Sequence, residues 1–214
     1  MLFFDKSKIK SLKERYNTIE QASPASFFKE KGSKFYGYAF PLSKEEEVKS
    51  ILEGLKKQHP SAGHFCYAWQ LGEETIRFRV NDDGEPNNSA GQPIYGQIRS
   101  FDITNILVVV VRYFGGTKLG VGGLIQAYKY AAQLTLESVT IVERTIDLYY
   151  QLTFEYALMN KVMRIIKEKN VQLLRQSLDF NCTFHIAIRK KEATTIVQHF
   201  DRLHKVKIEE QKTP

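Results

Sequence analysis

Six consecutive aliphatic residues, Ile106-Leu107-Val108-Val109-Val110-Val111, limit what this chain can fold into more than any other stretch. Side chains of a strand point alternately to its two faces, so a run without a polar position needs apolar cover on both. The reading is a central strand buried inside a layered unit. After it come Arg112-Tyr113-Phe114, glycines 115, 116, 120, 122 and 123, and then Leu124, Tyr128, Ala131 and Ala132 at helical spacing. The local order is strand, glycine-rich loop, helix.

Upstream, a polar lead-in precedes a strand at Phe35-Tyr36-Gly37-Tyr38-Ala39-Phe40. Val48, Ile51, Leu52 and Leu55 recur at i, i+3, i+4 and i+7, which predicts a helix with Ser43 as N-cap and His59-Pro60 as its end. Alternation of Phe65, Tyr67 and Trp69, and of Ile76, Phe78 and Val80 across Gly72, predicts a hairpin. Asn81 to Gly96 has turn formers and no apolar period, and reads as a loop.

From Thr145 the pattern restarts: strand (Ile146, Leu148, Tyr150, Leu152, Phe154), helix (Leu158, Val162, Ile165, Ile166), strands at Val171–Leu178 and Cys182–Ile188, helix (Ile196, Val197, Phe200, Leu203) and strand Val206–Ile208. This βαββαβ order is the ferredoxin-like split arrangement. The expected domains are residues 1–138 and 139–214.

With 43% hydrophobic residues among 214, the chain has enough apolar material for packed cores. A formal charge of +7 makes an anionic partner plausible without requiring one. Cys66 and Cys182 lack metal-ligand spacing and read as buried thiols. There is no signal-like apolar region at Met1–Lys6 and no apolar run near the roughly 20 residues of a bilayer span. A cytoplasmic location, away from membranes, is the expectation.

Three features carry candidate chemistry. In Arg112-Tyr113-Phe114-Gly115-Gly116-Thr117-Lys118-Leu119-Gly120-Val121-Gly122-Gly123, glycine amides, a helix N-terminus and the charges of Arg112 and Lys118 suit a phosphate. The same glycines also suit tight turns and close packing. Lys118 is followed by Leu119, so the P-loop spacing fails. Asp82, Asp83 and Glu85, with His64, offer a candidate acidic or metal site; they equally suit a turn whose aspartates bond nearby amides. Lys31, Lys34, Arg77, Arg79, Arg112 and Lys118, with Tyr36, Tyr95 and Tyr113, form a basic and aromatic set of the kind that lines nucleic-acid surfaces and that also occurs as ordinary solvated side chains. No GxSxG, HExxH or CxxC pattern occurs; catalytic residues are unknown, no metal is firmly predicted and no cofactor is called for.

Lys31-Gly32-Ser33-Lys34-Phe35, Ala62-Gly63-His64-Phe65-Cys66-Tyr67-Ala68, Asp82-Asp83-Gly84-Glu85-Pro86 with Ala90-Gly91-Gln92-Pro93, and Arg112 through Gly120 with Gly122-Gly123-Leu124 stand in the order characteristic of the YigZ/IMPACT family, which the chain resembles. The resemblance implies an α+β protein: an N-terminal ribosomal protein S5 domain 2-like domain, then a ferredoxin-like domain, similar to domains IV and V of elongation factor G. It implies RNA or the ribosome as partner, with room for a protein partner in translation control, and a site at the junction of the two motif loops; the nucleic-acid or phosphate-binding residues expected there are Arg112, Tyr113, Gly115, Gly116, Lys118, Gly120, Gly122, Gly123 and Lys34. Two departures stand out: Gln126 where the family commonly has Arg, and Asn87-Asn88-Ser89 in place of a Ser-Gly-Thr-like stretch. The expected function is RNA or ribosome binding in the regulation of translation. The alternatives are a metal-dependent enzyme handling phosphate or nucleotides, and a regulator acting on proteins alone.

Overall fold

The computed structural model describes residues 14–211. The chain divides into two compact units, one of residues Arg15–Arg144 and one from Thr145 onward. In the first unit the elements are β1 (Arg15–Ile19), β2 (Ser26–Glu30), β3 (Ser33–Pro41), α1 (Glu47–Gln58), β4 (His64–Leu71), β5 (Arg77–Asn81), α2 (Gly91–Ser100), β6 (Ile106–Tyr113), α3 (Gly120–Glu137) and β7 (Ile141–Thr145). Five of the strands form one sheet in the order β2-β3-β6-β4-β5, antiparallel throughout. The aliphatic strand β6 lies at its centre.

The two parities of β6 face two cores. Ile106, Val108 and Val110 meet Phe35, Ala39, Cys66 and Ala68 of the flanking strands, Ile94 and Ile98 of α2, and Leu124, Tyr128, Ala131, Ala132 and Leu136 of α3. Leu107, Val109 and Val111 pack with Tyr38, Phe65, Tyr67 and Trp69 and with Val48 and Leu55 of α1. Antiparallel sheets commonly leave one face wet. Here helices cover both, which is why β6 has no polar position before Arg112.

Four local expectations need correction. The helix expected to start from Ser43 begins at Glu47, because Lys44–Val48 first turns through i to i+3 bonds, Glu47 N–H to Lys44 O at 3.2 Å and Val48 N–H to Glu45 O at 3.1 Å. The loop expected to run to Gly96 gives way to α2 at Gly91. Pro93 sits in the first turn of that helix, where its missing N–H costs nothing, and Ala90, Ile94 and Ile98 supply a buried stripe that Gly96 interrupts in the sequence. The polar lead-in contains β1 and β2, neither with a clean period of two. Finally, β7 pairs with β1, so residues after the expected boundary at Ser138 remain with the first unit.

The second unit contains β8 (Asp147–Phe154), α4 (Met159–Glu168), β9 (Gln172–Leu178), β10 (Cys182–Arg189), α5 (Lys190–Asp201) and β11 (Val206–Gln211). Its antiparallel sheet has the order β11-β8-β10-β9. Tyr150, Leu152, Phe154, Phe184, Ile186 and Ile188 form a core with Val162 and Ile166 of α4 and Ile196 and Phe200 of α5. Among the described residues no helix is long and apolar enough to cross a membrane.

At the end of α1, His59 is 8% exposed and bridges two phenols: its Nε2 lies 2.6 Å from the Tyr38 hydroxyl and its Nδ1 2.8 Å from that of Tyr113. Burial lowers the His59 pKa below the ordinary histidine value. The unfolded chain therefore takes up the proton at higher pH than the folded one. The stability from neutral His59 is complete above about pH 6.5 and is lost as pH falls below that value. Thermal melting from about pH 7.5 to about pH 5.5 should show a steeper acid loss in the wild type than in His59→Gln; parallel slopes would contradict this.

Candidate functional site

Arg112 ends the apolar run with the parity of Val108 and Val110, so its side chain enters the face under α2 and α3. It is only 4% exposed. Its Nη1 donates to Glu85 Oε1 at 2.6 Å, and its Nη2 lies 3.3 Å from the Ser33 hydroxyl. The same Glu85 oxygen accepts the Tyr128 hydroxyl of α3 at 2.7 Å. Phe35 and Phe114 each place a ring 5.7 Å from the guanidinium carbon. Segments distant in sequence thus close on one buried ion pair.

The acidic loop is held by its own carboxylates. Asp82 Oδ1 accepts the Ala90 and Gly91 amides at 2.9 and 2.8 Å, and its Oδ2 accepts the Asn88 amide at 2.8 Å. These bonds fix the loop and satisfy amides at the start of α2. Asp83 Oδ2 accepts the Phe65 amide at 2.6 Å. His64 Nδ1 donates to the Asp83 carbonyl at 2.9 Å, leaving Nε2 3.8 Å from Glu85. Cys66 Sγ lies 3.0 Å from the Asp82 carbonyl and 3.3 Å from the Tyr128 hydroxyl. Burial pushes both the Cys66 thiol and the Tyr128 phenol far up, so neither ionises near neutrality.

The candidates therefore part company. His64, Asp83 and Glu85 do come together, but the carboxylates of Asp82, Asp83 and Glu85 are all occupied by internal partners. Among the described residues no group of three or more His, Cys, Asp and Glu side chains is arranged to hold a metal ion. Arg112, expected to face a phosphate, is instead a buried partner of Glu85. A guanidinium extending an aliphatic run has nowhere else to go once α3 covers that face.

The exposed part of the site lies beyond it. Gly115 donates its amide to the Ser33 hydroxyl at 3.2 Å, and a Cβ on Gly115 would fall 1.9 Å from the Gly32 carbonyl carbon. The β2–β3 turn and the glycine loop thus touch backbone to backbone. Gly116 and Gly120 take positive φ of 86° and 73°. Gly115, Gly116, Gly120, Gly122 and Lys118 are exposed, Gly123 is partly so, and Lys31 and Lys34 are exposed on the neighbouring turn. No side chain caps the 18-residue α3, and no acidic residue stands in its first turn. Lys34 is paired across the ladder with Tyr113. Arg77, Arg79 and Tyr95 belong elsewhere, at the β5 edge, where Arg79 pairs with Glu45 at 3.2 Å and Tyr95 stacks on Phe78 at 4.2 Å. Sequence reasoning missed Ser33 and Tyr128 as site members. Ser33 stood inside a motif, whereas Tyr128 looked like one more apolar helix position.

A two-faced antiparallel α/β unit whose motif loops meet on a buried Arg–Glu pair, followed by a smaller βαββαβ unit, defines the class of protein. The Impact N-terminal domain matches residues 31–136, which span all of these site segments. The chain is 31% identical over 188 residues to the IMPACT family member YvyE of Bacillus subtilis (strain 168), covering 88% of this chain and 86% of that one. It is 35% identical over 138 residues to the IMPACT family member YigZ of Escherichia coli (strain K12), covering 63% and 68%. A crystal structure of a hypothetical protein shares the fold with a TM-score of 0.71 at 24% identity, over 95% of this chain and 100% of that one. The chain belongs to the IMPACT family.

Removing one member of a buried ion pair leaves the other's charge buried without a counter-charge, with only a neutral hydroxyl, Tyr128 on Glu85 or Ser33 on Arg112, still bonded to it. Glu85→Ala and Arg112→Ala should each cost about 3–5 kcal/mol in urea denaturation, and the double substitution Glu85→Leu/Arg112→Met should cost well below the sum. Single-variant costs under about 1 kcal/mol would show that the pair does not organise the site.

Proposed function

We propose that the protein binds RNA or the ribosome and acts in the regulation of translation in the cytoplasm, its first unit being of the S5 domain 2-like kind and its second ferredoxin-like. The observation that carries this reading is the exposed, uncapped N-terminus of α3, opened by the glycine loop with Lys118 and bordered by the β2–β3 turn with Lys31 and Lys34. Free amides and the helix dipole favour an anion at such an end, and a group of exposed lysines favours a chain of anions. Membership in the IMPACT family supports the link to translation, the process implied by the resemblance of its motifs. The strand order β11-β8-β10-β9 supports the ferredoxin-like reading.

The enzyme alternative loses its main ground, because the carboxylates it needs are bonded internally. Arg112 contributes by holding Glu85 and Ser33, so phosphate recognition falls to lysines and backbone.

Purified protein should co-sediment with ribosomes or free RNA in a salt-dependent way. Lys34→Ala/Lys118→Ala should weaken binding and reduce the salt slope by about 0.7–0.9 for each phosphate that the lysines neutralise in the wild type, with no fall in melting temperature. Binding that survives salt and both substitutions, or appears only with nuclease-treated protein fractions, would overturn the RNA reading.

A further inference from the structure

On the α1 side of the sheet, three aromatic rings stand on three neighbouring strands: Phe27 on β2, Tyr36 on β3 and Tyr113 on β6. Phe27 is opposite Tyr36 in the ladder, with ring centroids 4.9 Å apart; Tyr36 and Tyr113 are 5.8 Å apart. The rings are inclined by 43° and 73° rather than stacked on one another, and Phe27 is 52% exposed at the sheet edge. The Tyr113 hydroxyl is held by His59, which fixes the inner end of the row. Val48 and Leu55 of α1 pack on this face with Tyr38, Phe65, Tyr67 and Trp69; Tyr36 and Tyr113 are partly buried against that core, and Phe27 stands outside it.

Two residues along, Lys29 and Lys34 are direct cross-strand partners on the same face as Phe27 and Tyr36. Both are exposed, and neither forms an ion pair with a carboxylate of the described residues. Like charges placed opposite one another in a ladder are destabilising, and a bound anion relieves that repulsion. Lys31 continues the positive edge around the turn that touches Gly115.

We infer that this face is a stacking platform for unpaired bases of RNA, with Phe27, Tyr36 and Tyr113 receiving bases while Lys29, Lys31 and Lys34 follow the phosphates. The inference rests on the RNA reading above and names the kind of RNA. Duplex bases are already stacked and cannot use the rings, whereas splayed single-stranded bases offer a π-face to each. A protein partner fits less well, because the centres of protein interfaces are depleted in lysine.

The test is fluorescence anisotropy with a labelled unstructured pyrimidine-rich RNA and the same strand annealed to its complement, at about 50 mM salt. The single strand should bind about tenfold or more tightly than the duplex. Phe27→Ala should remove that preference, and Phe27→Trp should restore it, with unchanged melting temperatures showing that the fold is intact. Phe180→Ala, at a residue 99% exposed in the second unit, should have no effect. Equal affinity for both RNAs, or full single-strand preference in Phe27→Ala, would overturn the platform while leaving RNA binding in place. Failure of both RNAs to bind would overturn the platform together with the RNA reading beneath it.

Discussion

Taking a guanidinium and a carboxylate out of water is costly, and the cost is recovered only where geometry and additional hydrogen bonds are good. In this protein the pair Arg112–Glu85 gains additional bonds from Tyr128 of α3 and Ser33 of the β2–β3 turn, while Arg112 Nε stays buried without a partner among the described residues. Glu85 reaches the pair from a loop whose own shape is set by Asp82 and Asp83 on backbone amides. Each segment is needed to satisfy another. Residues that a sequence reading assigns to metal or phosphate chemistry serve to bring the motif segments together.

The exposed surface follows from this internal order. The antiparallel ladders put His64 opposite Arg112 and Lys34 opposite Tyr113, so the same end of the sheet carries the buried pair on one face and the tyrosine and lysine on the other. Because Gly32 and Gly115 meet backbone to backbone, no side chain separates the β2–β3 turn from the glycine loop. The turn and the loop that carry these lysines are thereby held against one another above a neutralised interior. Preorganisation of that kind lowers the ordering cost of binding a flexible ligand.

How much of this was legible in the sequence depended on the range of the forces involved. The run Ile106–Val111 announced a strand covered on both faces, and the long alternations after Thr145 announced the second unit, because burial writes a period directly into sequence. β1, β7 and β2 carry no such period: the first two form a two-stranded ladder, to which Ile103 adds a single bridge at Asn17, and β2 is an edge. α2 was hidden by Pro93 and Gly96 and by a stripe only three residues deep, Ala90, Ile94 and Ile98. Within the site, the glycine loop and the acidic loop stood out by composition. That Arg112 points inward was implied by its parity with Val108 and Val110, but only the placement of α3 decides whether that direction is wet or covered.

Amide hydrogen exchange followed by mass spectrometry on the wild type and Glu85→Gln tests the central claim most directly, that one buried pair organises the motif segments. The account predicts that segments 31–33, 82–91 and 112–120 gain exchange together in Glu85→Gln, while β9 and β10 in the second unit keep wild-type rates. Loosening confined to segment 82–91, with the β2–β3 turn and the glycine loop unchanged, would contradict it.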